Sequence, residues 1–187
     1  MRMPAMVFAH MALVTTAHTA YVEPTVLRAA RALLDDVFAG EMTDADWEHG
    51  LGGIHAFAWE DDVLIGHASV IQRRLWLGGR ALRTGYVEGV GVRADHRRRG
   101  VAGALLDELE NVIRGAYDLG ALGTTDMARP FYEGRGWQLW QGPSSALTPR
   151  GIERTPQDDG GIYVLPVTVE LDPTGEITAD WRDADVW

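Results

Sequence analysis

Apolar residues recur at helical spacing in two stretches of this chain and follow a strand pattern across most of the remainder. Behind Pro24-Thr25, the residues Val26, Leu27, Ala30, Leu33, Leu34, Val37 and Phe38 form one stripe that Gly40 closes, which predicts a helix. Thr43-Asp44-Ala45-Asp46 opens a short second helix through Trp47, with Thr43 as its N-cap. From His55 the period changes. Residues 55–60, 63–72 and 74–77 are β-rich runs broken by the hairpin signals Asp61-Asp62 and Gly78-Gly79, and 81–92 continues as another strand. After a basic turn from Asp95 to Gly100, a helix is predicted from about Val101 to Leu119, with Val101, Leu105, Leu109, Val112 and Ala116 on one face and Gly120 as its stop. Residues 121–124 read as a short buried strand, 126–132 as a short helix ended by Gly134 and Gly136, and 137–140 as a strand. The stretch 142–161 reads as loop and 162–169 as a last strand, while the tail from Glu170 to Trp187 carries no helix or strand pattern. Residues 1–14 read as a few loose residues leading into a first strand. This order predicts an α+β layer arrangement rather than a doubly wound sheet.

Composition narrows the chemistry. A chain of 187 residues, 46% hydrophobic and 24% charged, is read as one globular domain over 1–187. Its formal charge of −10 argues against a nucleic-acid partner and for a cationic one. All 17 basic residues are arginine, which excludes Schiff-base or lysine-nucleophile chemistry, and the absence of cysteine excludes thiol catalysis, disulfides and thiolate metal sites. His10, His18, His49, His55, His67 and His96 show no metal-ligand spacing, so no metal is expected. The N-terminal segment is too short to span a bilayer and makes a poor signal peptide; no membrane association and a cytoplasmic residence are expected.

Against this acidic background the turn Arg97-Arg98-Arg99-Gly100-Val101-Ala102 stands out. Backbone N–H groups at a helix N-terminus, a glycine and positive charge together suit a phosphate-bearing ligand. A solvated helix start is the plainer reading, but the preceding strand weakens it. Gly89 and Gly91 alternate there with Val87, Val90 and Val92, and glycine inside a strand marks a bulge or a close approach. A splayed strand offers backbone groups to an extended, amide-bearing ligand such as pantetheine.

Arg97-x-x-Gly100-x-Ala102 resembles the coenzyme A signature of the GCN5-related N-acetyltransferases (GNAT), and Ala128 to Trp137 resembles the short helix whose tyrosine, here Tyr132, faces the coenzyme A sulfur. Trp47-Glu48-His49-x-Leu51-Gly52-Gly53, Gly85 to Val90, Arg114-Gly115-Ala116-Tyr117-x-Leu119-Gly120, Thr155-Pro156-x-Asp158-Asp159-Gly160 and Asp185-Val186-Trp187 are similar to the aminoglycoside 2′-N-acetyltransferases within that superfamily. The resemblance implies a GNAT fold, a mixed and mostly antiparallel central sheet with a splayed or bulged fourth strand and helices on both faces. It implies direct acetyl transfer from acetyl-CoA to a 2′-amino group in a ternary complex, by a homodimer, with antibiotic resistance as the outcome. Glu88 is the expected general base, acting through a water, and Tyr132 the proton donor to the departing thiolate. The cofactor is expected on Val90, Gly91, Val92, Arg97, Arg98, Arg99, Gly100, Val101 and Ala102, with the Val90 N–H polarising the thioester carbonyl.

From Asp158 onward eight carboxylates face a single base, Arg182. Most of the eight read as a solvated face. By the resemblance, Asp158, Asp185 and the terminal carboxylate of Trp187 receive the polycationic aminoglycoside together with Glu41, Asp46, Glu88 and Gly89. Two positions depart from the family pattern: Glu41 stands for an expected aspartate, and Gly123 for an expected serine that touches the substrate, a contact that Thr124 or Thr125 is left to supply. Another amine (a cell-wall amino sugar or a polyamine) and a non-catalytic acetyl-CoA sensor are the alternative functions.

Overall fold

The computed structural model describes residues 12–187; the expectations for residues 1–11, His10 among them, lie outside the described residues. The chain runs β1 (Leu13–His18), α1 (Pro24–Val37), α2 (Asp44–His49), β2 (Ile54–Glu60), β3 (Val63–Leu77), β4 (Arg80–Val92), α3 (Val101–Ala116), β5 (Leu119–Gly123), α4 (Arg129–Glu133), β6 (Gln138–Leu139), β7 (Ser144–Thr148), β8 (Gly151–Arg154), β9 (Ile162–Pro166) and β10 (Ile177–Asp180). Two tight turns build the antiparallel centre. Asp61 and Asp62 have φ of 47° and 62°, and Gly78 and Gly79 have 54° and 78°. Positive φ at both central residues matches the right-handed twist of flanking strands.

All the described strands join one sheet in the order β6-β9-β5-β4-β3-β10-β7-β8, with β1 and β2 branching from β3. The branch exists because β3 is one strand of 15 residues, not the two runs its sequence suggests. Its first half pairs with β2 and its last three residues with β10, while β4 follows it along the other edge. Strand β5 pairs parallel to β4 only where Thr84, Gly85 and Tyr86 face Leu119, Gly120 and Ala121. Past Tyr86 this pairing ends, and the sheet opens between β4 and β5.

Helices cover both faces. A Cβ on Gly91 would lie 2.6 Å from Leu34 of α1, and one on Gly66 would lie 3.0 Å from Val101 of α3, on the opposite side. In α3 the buried stripe is Val101, Leu105, Leu106, Leu109 and Ile113; Val112 and Ala116, expected on it, are half-buried and exposed. The helix also stops at Ala116 rather than Leu119. Tyr117 turns extended and its ring lies where a Gly85 Cβ would come within 2.8 Å, while Leu119 and Gly120 are taken into β5 by pairing with Thr84 and Gly85. Two further expectations are corrected. The presumed loop 142–161 contains the β7–β8 hairpin, and the presumed featureless tail contains β10. Strand β10 has only four residues and is a strand because it fills the gap between β3 and β7. Among the described residues no helix is long and apolar enough to cross a membrane.

Candidate active site

The site is organised by a bulge in β4. His67 pairs with Gly91 and Ser69 with Glu88, so Gly89 and Val90 lie together opposite the single residue Ala68. Gly89 sits at φ +57°, a conformation that favours glycine, and a Cβ there would lie 3.2 Å from Leu34, so that side chain would have to give way slightly.

On one side of the bulge is a cleft of about 220 Å³ lined by Glu41, Met42, Asp46, His49, Glu88, Gly89, Arg182, Asp185 and Trp187, with Phe38 at its edge. A neighbouring cleft of about 320 Å³ holds Gly123, Thr124, Thr125, Gln157 and Asp158 and shares Asp185 and Trp187 with the first. The fold thus brings together all seven residues expected to face the acceptor. They come from the loop after α1, from α2, from β4, and from two segments near the end of the chain. Asp46 is partly committed already. Its Oδ2 accepts from the Thr43 N–H and Oγ1, each at 2.8 Å, closing the capping box that starts α2.

Of the remaining tail carboxylates, Asp159, Glu170, Asp172, Glu176 and Asp183 are exposed, as expected of a solvated face, and several accept local hydrogen bonds. Asp159 accepts from Ser144 at 2.8 Å and Arg154 at 2.7 Å, Glu176 from Ser145 at 2.5 Å, Asp172 from Thr174 at 2.6 Å, and Asp180 from Arg73 at 2.8 Å. Asp158 and Asp185 line the clefts instead. Burial, and then the nearby Asp185, push the Asp158 carboxyl above its ordinary pKa.

Arg182 was not among the expected site residues. Its Nη1 donates to Glu88 Oε1 as an ion pair, and its Nε donates to the Asp185 carbonyl at 2.8 Å. The guanidinium also lies over the Tyr86 ring, 5.3 Å from its centroid, and buried Arg73 lies over the same ring at 4.7 Å. Burial raises the Glu88 carboxyl, Arg182 chiefly lowers it with smaller help from Arg73 and His49, and the net result is a pKa above the ordinary glutamate value. The available signal was the lone cation among eight carboxylates. At Gly123 a Cβ would sit 3.2 Å from the Trp187 carboxyl carbon, tighter than ordinary packing, so a side chain there would need Trp187 to give by a few tenths of an ångström. The Trp187 indole is fixed by donating to Thr155 Oγ1 at 3.0 Å.

On the other side of the bulge a cleft of about 360 Å³ is lined by Val92, His96, Arg97, Arg98, Gly100, Val101, Ala102, Gly103 and Phe131. Gly100 takes φ +83° at the N-cap of α3 and offers no side-chain cap to the first-turn N–H groups. Uncapped N–H groups beside Arg97 and Arg98 fit a pyrophosphate. Of the residues expected here, Arg99, Val90 and Gly91 lie outside the lining; Gly91 instead packs on Leu34. Tyr132 of α4 is buried, edge-on to Phe131 at 5.2 Å and to Trp137 at 6.1 Å. Burial pushes its hydroxyl pKa up to about 12, so it is a neutral donor throughout the working range.

A strand that splays from its parallel neighbour, with a basic helix N-terminus at its end, is the architecture of the GNAT acetyltransferases. Residues 19–140 match the family model of the acetyltransferase (GNAT) domain, and the chain belongs to that family. More narrowly, it is 53% identical over 174 residues to an aminoglycoside 2′-N-acetyltransferase of Mycolicibacterium fortuitum, an alignment covering 91% of this chain and 89% of that one. Solved structures share the fold at lower identity. Escherichia coli YhbS, a GNAT family N-acetyltransferase in complex with CoA, aligns with TM-score 0.63 and 17% identity over 90% of this chain and 89% of its own. Escherichia coli ElaA aligns with TM-score 0.58 and 18% identity over 84% and 99%. Eis1 of Mycobacterium abscessus aligns with TM-score 0.58 and 19% identity over 71% of this chain, which spans only 33% of that longer one.

Proposed function

We propose that this protein transfers the acetyl group of acetyl-CoA to the 2′-amino group of aminoglycosides, with antibiotic resistance as the consequence. The observation that carries the reading is the meeting of two clefts of opposite character on one strand. Glu88 and Gly89 line the acidic cleft and Val92 the basic one, on the order of 10 Å apart along β4. An anionic cofactor and a polycationic acceptor therefore approach the same bulge from opposite sides. The 53% identity to the mycobacterial relative supports the choice of acceptor.

The chain's residues divide the work as follows. Arg97, Arg98 and the first-turn N–H groups of α3 hold the pyrophosphate, and the opening between β4 and β5 takes the pantetheine arm. Glu41, Asp46, Asp158 and Asp185 draw in and orient the acceptor ammonium groups. Glu88, its pKa raised by burial above the ordinary glutamate value, takes the proton from the 2′-ammonium through a water. The amine nitrogen then attacks the thioester carbon, the Val90 N–H receives the charge that develops on the carbonyl oxygen, the C–S bond breaks, and the proton the nitrogen sheds in becoming an amide goes to the departing sulfur, which leaves as the free thiol. No cysteine exists to carry an acyl-enzyme, in keeping with direct transfer. Tyr132 has a narrower part than its expected role of proton donor. With a pKa near 12 against roughly 8.5 for a thiol, it hydrogen-bonds the departing sulfur rather than surrendering its proton outright. In the same reading the protein is a cytoplasmic homodimer, which light scattering and cell fractionation check.

The test is acetyl-CoA-dependent acetylation of a 2′-amino aminoglycoside, with the product's new acetamide located by NMR. An acetamide at the 2′ position supports the reading. Acetylation only of a simple polyamine or a cell-wall amino sugar would reassign the acceptor, and tight acetyl-CoA binding without turnover on any amine would make the protein a sensor.

A further inference from the structure

A chain of buried hydrogen bonds that the proposed reaction does not use ends at the bulge. His67 Nδ1 lies 3.1 Å from the Gly89 carbonyl oxygen, His55 Nδ1 lies 2.9 Å from His67 Nε2, and His55 Nε2 lies 2.8 Å from Thr19 Oγ1. Both imidazoles are almost wholly buried, stacked among Trp47 and Phe57.

With both imidazoles neutral, one assignment of protons satisfies the three links. The Gly89 carbonyl can only accept, so His67 carries its proton on Nδ1 and accepts on Nε2. His55 must then donate from Nδ1 and accept on Nε2, and its donor is the Thr19 hydroxyl. Of the two acceptors within reach of that hydroxyl, His55 Nε2 at 2.8 Å is nearer than the Gly53 carbonyl at 3.2 Å. Thr19 Oγ1 itself accepts from the Gly52 N–H at 2.8 Å. Burial keeps the pair neutral, holding His55 down to about 4 and His67 to about 3, and whatever the state of His55 the His67 Nδ1–H remains the donor to Gly89.

The carbonyl that His67 holds belongs to the same peptide unit as the Val90 N–H. The described residues contain no cis peptide bond, so this unit is trans and planar, with its N–H opposed to its C=O. Fixing the oxygen toward His67 of β3 aims the Val90 N–H away from β3, toward the side where β5 has splayed. Donation to the oxygen also polarises the unit and strengthens the N–H as a donor. At the same bulge Leu34 packs against Gly89 and Gly91 from α1, so the unit is clamped by packing and by a hydrogen bond.

We propose that His67, backed by His55 and Thr19, is a positioning residue for acetyl transfer: its hydrogen bond to the Gly89 carbonyl sets the orientation of the Val90 N–H that receives the thioester carbonyl. The inference rests on the acetyltransferase reading above.

The test compares His67→Asn, whose amide nitrogen reproduces Nδ1, with His67→Gln, whose amide reproduces Nε2 and cannot serve Gly89. His67→Gln should lower kcat by about 10- to 100-fold, somewhat less than outright loss of an oxyanion donor. It should leave CoA affinity within about twofold, because CoA lacks the thioester carbonyl, and it should shift the Val90 amide resonance of the acetyl-CoA complex. His67→Asn should restore most of kcat and the resonance. Equal losses in both variants that track their melting temperatures would overturn the proposal in favour of a purely structural role, as would unchanged kcat in His67→Gln. If His67→Gln does not fold, Thr19→Val applies the same test from the far end, and an unmoved Val90 resonance with intact kcat overturns the proposal. The resonance needs no acceptor, so absence of turnover in the unsubstituted enzyme counts against the acetyltransferase reading and leaves this inference separately decidable.

Discussion

Arg182 donates to Glu88 across 94 residues of sequence, pairing the tail's one cation with the carboxylate proposed to act as base. Both side chains are largely withdrawn from water, at 13% and 17% exposed. Two opposing effects thereby meet on one group. Burial raises the Glu88 pKa, and Arg182 opposes that rise. The other charged groups facing it are Arg73 of β3, His49 and Asp46 of α2, Glu41 before α2 and Asp185 of the tail.

Replacing Arg182 tests that balance. Without the guanidinium the protonated form of Glu88 gains, so its pKa rises further. In Arg182→Gln the acidic limb of the kcat/KM profile should move to higher pH, with the largest loss below neutrality and recovery in alkaline buffer. Arg182→Lys keeps the charge and should move the limb less. A limb that stays in place would show that Arg182 acts on Glu88 only by packing.

Glu88→Gln keeps the shape and removes the base. Its kcat/KM should fall by roughly 10²–10⁴, the range typical of a positioned general base, and most steeply at low pH where the acceptor amine is fully protonated. Affinity for CoA, measured by calorimetry, should change little, since that ligand sits on the other side of the bulge. Activity preserved across the pH range would remove Glu88 from the role.

Tyr132→Phe should lower kcat about 10- to 100-fold while KM for acetyl-CoA stays near its starting value, the pattern of an interaction made in the transition state. Because the hydroxyl pKa is near 12, the unsubstituted enzyme should show no basic limb from this residue below about pH 11. A tyrosine ionisation seen near pH 10 by ultraviolet titration of Tyr132 would contradict that placement.

The buried imidazoles carry a pH signature of their own. In the unfolded chain each histidine takes up a proton near pH 6.5, whereas in the fold they resist to about 4 at His55 and about 3 at His67. Their contribution to stability is therefore complete above pH 6.5 and declines as pH falls toward those values. Urea unfolding should give a lower stability at pH 5 than at pH 7.5, and His67→Asn should shrink the difference. An equal difference in both proteins would mean the pair is not the source.

Local pattern and residue chemistry made much of this legible. The turn at Arg97–Ala102, Glu88 and Tyr132 are signalled within a few residues of sequence, because a glycine-broken strand or a helix start is a local feature. The acidic positions expected around the acceptor also meet in space. What sequence left hidden is long-range. Strand β10 is too short to declare itself and exists through pairing with β3 and β7. Arg182 looked like an isolated cation because its partner is on β4. The His55–His67 contact depends on the neighbouring registers of β2 and β3, and each histidine alone gives no sign of the other.

In the proposed reaction the acidic cleft presents a 2′-amine to a thioester held on the far side of the β4 bulge. The most direct measurement is thiol release from acetyl-CoA with two aminoglycosides that differ only in carrying 2′-NH₂ or 2′-OH. Turnover is expected with the amine and none above background with the alcohol. Equal turnover with both, or with neither, would contradict the proposed reaction.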